Sequence, residues 1–571
     1  MRTPASPIDS KRNVGIGSFF AQLRPRVSQR LRWTWLAALV VGVAAVVPFL
    51  STLSGYFLCD DFGLIWLFSQ KPPLHFLSLF TNPWTETIYG YRTDELRPFV
   101  ELSYQVDAVW GAAFPTAYHI SNILFHALNA LLVLAIGRRV VGLSLPASCL
   151  AGVIFAVMPV HVETVAWISG RADSIPTLFY LSSFLFYAIW REKRTGWLYW
   201  ASIGLFFCAL FSKQSAITML GTLVLYDGLI HRRLPWSSWA QFLGYVPYAV
   251  LTFGYLGLRL VLFDNAIREQ AITLGRLGEF WQWQGTYLQM VVSGIHSPRF
   301  DTIVLVVAAV LCVLFFYAAS AELRQQNRGR GPLSWTMLFY FGPVWWTVSI
   351  APLAVTNYLS SRHLYLASAG LALVLGLAFE ALWSSRRRLW RPAAILVSAG
   401  VLFGSTLALL WAVGQWNGVA ALSEKVTRDV GNEAMAAPEG SLLLLDVSPI
   451  GATPRVWTWL WAFSLPYALQ PPFMPTDLAE RVSIVSAPEV YCCQLQQWYA
   501  HTQRSIATWS ARTDSPSVIV LAWDSSTRAL IRQTDVEQPS LRSLVQGLAG
   551  APSPRELDIL LRAVLRRAYG S

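Results

Sequence analysis

The sequence predicts an all-α polytopic membrane protein of about eleven transmembrane helices, N-terminus inside, with a small extracytoplasmic α/β domain at its C-terminal end. Three observations predict it. Hydrophobic residues are 54% of the 571-residue chain and charged residues 13%, where a soluble domain carries about 25% charge. Mean hydropathy is +0.43. Apolar runs of about 18 residues or more recur along the chain, and Arg-rich clusters alternate with them.

The runs cover roughly 33–55, 117–137, 145–163, 173–190, 197–212, 215–230, 238–262, 301–320, 334–354, 364–383 and 393–414. Arg138 and Arg139 close the second, and Arg191, Lys193 and Arg194 the fourth. Arg232 and Arg233 close the sixth, Arg324, Arg328 and Arg330 the eighth, and Arg386, Arg387 and Arg388 the tenth. Basic loops stay in the cytoplasm, so every even helix returns inside and the odd total leaves the C-terminus outside. The same distribution accounts for the net charge of +12 and excludes nucleic acid as its reason.

Residues 1–32 form a basic cytoplasmic segment with Lys11, Arg12, Arg24, Arg26, Arg30 and Arg32. The run that follows spans, with no small-residue cleavage pattern after it, and reads as an uncleaved first helix. The transmembrane domain is 33–414 and its first extracytoplasmic loop 56–116. That loop holds Asp60, Asp61, Glu86, Asp94, Glu95, Arg97, Glu101 and Asp107 among Trp, Tyr and Pro, the composition of a short amphipathic helix at an interface. The stretch 264–300, with Trp281, Trp283 and Tyr287, is expected on the membrane surface. Residues 415–571 read as the α/β domain, with strand-like runs at Ser441–Val447, Val482–Val485 and Val518–Ala522.

Cys149, Cys208 and Cys312 fall in apolar helices and read as buried small residues. Cys59, Cys492 and Cys493 face an oxidising compartment, and no CxxC pair joins them.

Ionisable groups concentrate at the outer helix ends: Cys59-Asp60-Asp61-Phe62 after the first helix; His161, Glu163, Arg171 and Asp173 between the third and fourth; Lys213 and Gln214 between the fifth and sixth; Arg362 and His363 between the ninth and tenth. Each has an ordinary reading alone. An Asp pair caps helices, a histidine packs, and Lys or Arg snorkels. Four distant loops offering charge at one depth point instead to a site.

Longer runs carry a resemblance. Arg97-Pro98-Phe99-Val100-Glu101-Leu102-Ser103-Tyr104, Tyr118-His119-Ile120-Ser121-Asn122-Ile123-Leu124-Phe125-His126-Ala127-Leu128-Asn129 and the stretch from Met158 to Asp173 resemble the cadherin-targeting transmembrane O-mannosyltransferases and their bacterial relatives. So do Ser212-Lys213-Gln214 and Ser361-Arg362-His363-Leu364-Tyr365-Leu366-Ala367-Ser368. The resemblance covers roughly 33–420 and implies the GT-C glycosyltransferase superfamily. It implies a polyprenyl-phosphate-linked sugar as donor, an acceptor reached from outside, and the inner membrane of a bacterial-type envelope.

The resemblance also implies roles. Asp60 takes the acceptor proton, with Asp61 in support, as inverting displacement needs one carboxylate base. Arg171 binds the donor phosphate, with Arg97, Lys213 and Arg362 for the same anion. His161, Glu163, Asp173 and His363 bind substrate. No cofactor is required, though a divalent cation at Asp60 and Asp61 stays open, as in relatives that cleave a pyrophosphate carrier. Gln214 and Ser361 replace residues the family has as Glu, and the family's tetratricopeptide array is replaced by the α/β domain. The acceptor, whether protein, lipid or glycan, is therefore left open. Competing readings are an envelope-glycan ligase or polymerase of the same fold and a non-enzymatic transporter. Charges at helix ends, without repeats or broken helices at mid-membrane, favour the enzyme.

Overall fold

The structure is a computed structural model. It describes residues 16–568 apart from 72, 86–87, 89–92, 112–113, 267–273, 295–316, 323–334, 357–358, 447–460, 462–463, 489–494, 513–516, 525 and 534–537. Glu86, Cys312, Cys492, Cys493 and the Arg324–Arg330 cluster lie outside the described residues, as does most of the run expected at 301–320.

Seven described helices are long and apolar enough to cross a membrane: Leu31–Ser54, Pro115–Val141, Ile168–Lys193, Val246–Phe263, Trp335–Val355, Ser361–Trp383 and Trp390–Ala436. The chain is an integral membrane protein. Leu145–Val157 and Pro159–Ala166 are a further apolar pair of helices, bent by 49° at the break between them. Pro159 lacks the N–H that would continue the first helix, so the chain turns there and brings Glu163 to the rim. Gly196–Leu210 is apolar but shorter. The run expected at 215–230 instead opens with a 3-10 turn, Gln214–Thr218, leaving only Met219–Leu229 as α-helix.

Two helices expose large apolar side chains. Pro98–Gly111 buries Glu101, Gln105 and Asp107 while Val109 and Trp110 are 71% and 84% exposed. That polarity suits an element lying against lipid, in line with the interfacial helix expected in the first loop. Leu274–Ser293 exposes Trp281 and Leu288 and buries Phe280, Tyr287 and Met290. Gly294 closes on the Pro159 carbonyl, so this segment also roofs the bend.

The boundary expected at 414/415 falls inside one unbroken helix, Trp390–Ala436. Its 47 residues reach about 70 Å at 1.5 Å per residue, beyond any bilayer core. The change from apolar to mixed composition marks where the helix leaves the membrane, without a break in the backbone. Past it stands a four-stranded sheet of order β2-β1-β3-β4, with β1 Leu442–Asp446, β2 Ser483–Ser486, β3 Val518–Asp524 and β4 Ala529–Gln533. β1 is central, parallel to both β2 and β3, and β4 is antiparallel to β3. The four leucines of β1 are buried, as a strand covered on both faces requires.

One hydrophobic core is shared between the first loop and the C-terminal unit. It joins Phe57, Phe62, Ile65 and Phe68 of the first loop to Val426 and Val430 of the long helix and to the sheet. Phe473 packs 5.0 Å from both Phe57 and Phe62, and Trp66 lies 4.7 Å from Tyr467. The C-terminal unit therefore sits directly on the residues flanking the acid pair.

Candidate active site

The first span ends at Ser54, and the chain turns at Cys59, whose φ of 50° is left-handed. Asp60 and Asp61 open the next helix, Asp61–Ser69. Asp61 is buried, and three donors fix its carboxylate. The Leu58 N–H bonds Oδ2 at 2.9 Å, and the Ser169 N–H at 3.0 Å and hydroxyl bond Oδ1. Burial pushes its carboxyl up to about 7, the Ser169 and Leu58 bonds pulling down and Asp60 pushing up. Asp60 is half-buried and accepts the Cys59 thiol at 3.2 Å. One carboxylate is locked and its neighbour is partly open.

Trp167 joins this turn to the second half of the site. Its indole N–H donates to the Leu58 carbonyl at 3.3 Å, and the Arg362 guanidinium lies 4.8 Å over its ring. Arg362 pairs with Glu163 at 3.1 Å and lies 3.8 Å from Asp173. Lys213 is bonded to Asp173. Glu163 is also held by the hydroxyls of Ser360 and Ser361, at 2.6 and 2.8 Å, and by the Arg362 N–H at 3.2 Å. Loops from three separate crossings thus meet. All four side chains keep 9–18% of their surface exposed, so the cluster reaches the protein surface. Burial draws the Lys213 ammonium below its usual range; Asp173 opposes this and Arg97 and Arg362 add to it.

Arg97 stands beside this cluster, paired with Glu95 at 2.9 Å and stacked 4.5 Å over Trp84. His363 is half-buried in the Arg362 turn, its backbone N–H on the Ser360 carbonyl at 3.2 Å.

Two of the expected site residues are fully buried. Arg171 is fully buried, and every guanidinium nitrogen is engaged: Nη1 with Asp107 at 2.5 Å and Ser103 at 3.3 Å, Nη2 with the Tyr118 carbonyl at 2.8 Å, Nε with the Ile168 carbonyl at 3.3 Å. It also stacks 4.6 Å over Tyr104. In the structure this arginine ties Pro98–Gly111, through Ser103 and Asp107, to Pro115–Ile136, through the Tyr118 carbonyl. His161 is fully buried among Phe155, His126 and Tyr365 and bonds Ser368 at 2.7 Å. It packs the helix core.

Residues missed in the sequence are Ser169, which orients Asp61, Trp167, which bridges the two halves, and Asp107, the partner of Arg171. Ser169 and Trp167 lie in a run that drew attention, but only their carbonyl and carboxylate partners reveal their parts. The departure at Ser361 acquires a reason. Its hydroxyl donates to Glu163, where a glutamate would set a second carboxylate against the first.

Against known proteins, no family model matches the chain. It is similar to the human protein O-mannosyl-transferase TMTC4, 31% identical over 221 residues, which are 34% of this chain and 29% of that protein. It is similar to mouse protein O-mannosyl-transferase TMTC2, 30% identical over 214 residues, 35% of this chain and 25% of that protein. The resemblance read from the motifs is thus borne out, and the chain spans under a third of the length of these relatives. Among solved structures, it aligns with ArnT from Cupriavidus metallidurans bound to undecaprenyl phosphate at 12% identity and a TM-score of 0.48, over 86% of this chain and 94% of that one. It aligns with the Archaeoglobus fulgidus oligosaccharyltransferase at 11% and 0.46, over 92% and 72%. Likenesses of that size bear on neither chemistry nor substrate.

Proposed function

We propose that the chain is an inverting GT-C-type glycosyltransferase that moves a sugar from a polyprenyl-phosphate carrier to an acceptor hydroxyl on the extracytoplasmic face of a bacterial-type inner membrane. One observation carries this reading: Trp167 bonds the Leu58 carbonyl in the turn that holds the half-buried Asp60 and lies under the Arg362 guanidinium, while Lys213 joins Arg362 through Asp173. The similarity to the O-mannosyl-transferases supports the reaction class.

The chemistry divides between the two halves. Asp60 takes the proton of the acceptor hydroxyl as oxygen attacks the anomeric carbon. The bond from that carbon to the carrier phosphate breaks with inversion, and the phosphate leaves as an anion that needs no proton. Arg362, Lys213 and Arg97 stabilise its growing charge, where fixed cationic donors act most strongly. Asp61 orients the turn through its three bonds. Glu163 and Asp173 hold the cations in place and offer acceptor oxygens to sugar hydroxyls, with His363 beside them. The donor set does not favour a metal at Asp60 and Asp61, because both Asp61 oxygens already accept N–H or O–H donors.

Arg362→Gln and Lys213→Gln are the first tests. Each should raise KM for a polyprenyl-phosphate sugar and lower kcat/KM by about 10- to 100-fold, the loss of one charged hydrogen-bonding group at the leaving phosphate. Transfer is read by mass spectrometry across a panel of lipid-linked sugars. Preference for a pyrophosphate-linked donor with chelator-sensitive activity would move the reading to a ligase or polymerase. Unchanged kinetics in both variants would remove these residues from the site.

A further inference from the structure

We propose that the membrane face opposite the acid pair carries a binding site for the phosphate headgroup of an anionic phospholipid, formed by Arg194, Arg232 and Arg233. The site lies at the far end of a helix that begins in the candidate active site. Arg171–Lys193 has 23 residues, about 35 Å of helix, enough to cross the hydrocarbon core. Its end therefore reaches the other face.

Three cations gather there. Arg194 ends the helix in a left-handed conformation, its N–H on the Trp190 carbonyl at 2.8 Å and its guanidinium 5.3 Å over the Trp190 ring. The returning helix Met219–Leu229 brings back His231 and Arg233, whose backbone N–H groups both bond the Asp227 carbonyl, at 3.1 and 3.0 Å. Arg232 between them is left-handed, with φ 53°. All three arginines are exposed, and Arg194 lies within electrostatic reach of Arg191 and Arg233.

The central carboxylate is already used. Asp227 is fully buried and satisfied by Tyr187 at 2.6 Å, Tyr245 at 2.5 Å, Gln241 at 2.9 Å and the ion pair with Arg191 at 2.9 Å. The other carboxylate nearby, Glu192, is exposed. Among the described residues Arg194, Arg232 and Arg233 make no ion pair; the buried pair here belongs to Arg191. Like charges held together without a counter-ion repel, and an external anion relieves that cost. The surroundings choose the anion. Trp197, Trp200, Trp236 and Trp239 are 63–77% exposed around the cluster, and exposed tryptophans settle at headgroup level. A phosphate tethered to a lipid arrives at that depth; a soluble one does not.

The test uses the full-length protein in nanodiscs of phosphatidylcholine with a minor share of phosphatidylglycerol, reading retained lipid by native mass spectrometry. The wild type should enrich phosphatidylglycerol. Each Arg→Gln change at 194, 232 and 233 should lower that enrichment about fivefold, the worth of one basic residue at an anionic surface. The R386Q/R387Q/R388Q control, which removes equal charge from another loop, should retain it. Equal loss in the control, retention in the R194Q/R232Q/R233Q variant, or displacement of the lipid by matched inorganic phosphate would each overturn the proposal. Should the triple variant fail to fold, R194Q and R233Q alone give the same readout.

Discussion

Single residues in this protein are sealed in or reach the surface according to what their partners leave open. Arg171 and Arg362 are both arginines at one end of the bundle, yet one is sealed and the other reaches the surface. Arg171→Ala would strand Asp107 as a buried charge and should cost about 3–5 kcal/mol of stability, read as a lowered Tm in detergent. The apolar pair R171M/D107L should recover much of it. Asp61 makes a second prediction. Burial raises its folded pKa from the ordinary 3.8 to about 7, so the folded state binds the extra proton between those values. The stability it contributes is full below about pH 4 and is lost as pH rises through about 7. Unfolding midpoints across that range should fall with pH in the wild type and fall less in Asp61→Asn. Equal slopes would mean another group titrates there. None of this was legible in the sequence, where Asp60 and Asp61 look alike and Arg171 looks like a ligand. Which oxygen meets Ser169, and which guanidinium meets Asp107, is set by helices over 60 residues apart.

At the scale of elements, sequence and structure agree best where apolar length alone decides. Leu31–Ser54, Pro115–Val141 and Ser361–Trp383 match their expected runs because a span needs only about 20 apolar residues. The run at 215–230 passed the same reading yet folds as a short helix, because its neighbours supply the burial. The bend at Pro159 was also out of reach as a direction, though proline marked the place. Gly170 explains why that bend packs so closely. A Cβ there would lie 2.4 Å from the Glu163 carbonyl and 2.8 Å from Thr164 Cα. Backbone atoms cannot swing aside as a side-chain tip can. Gly170→Ala should therefore cost about 1–3 kcal/mol and loosen Glu163 relative to Asp173. A lowered Tm together with a raised donor KM is the expected pair of results, and an unaltered Tm would show that the two segments have room to part.

In the whole molecule, the long helix Trp390–Ala436 carries a sheet from the membrane back onto the first loop. Charge patterning set the side on which these parts were expected; the contact of Phe473 with Phe57 and Phe62 was not readable, since aromatic residues in a loop and a tail announce no partner. The contact makes the C-terminal unit part of the wall beside Asp60. It also ties the central claim to one carboxylate. The most direct test compares wild type and Asp60→Asn, both purified folded, for transfer of sugar from polyprenyl phosphate to an acceptor, with product detected by mass spectrometry. The account predicts transfer by the wild type and a loss of at least about 10³-fold in the variant at unchanged donor binding, beyond what general-base catalysis usually contributes at its low end. Transfer by Asp60→Asn at the wild-type rate would contradict it.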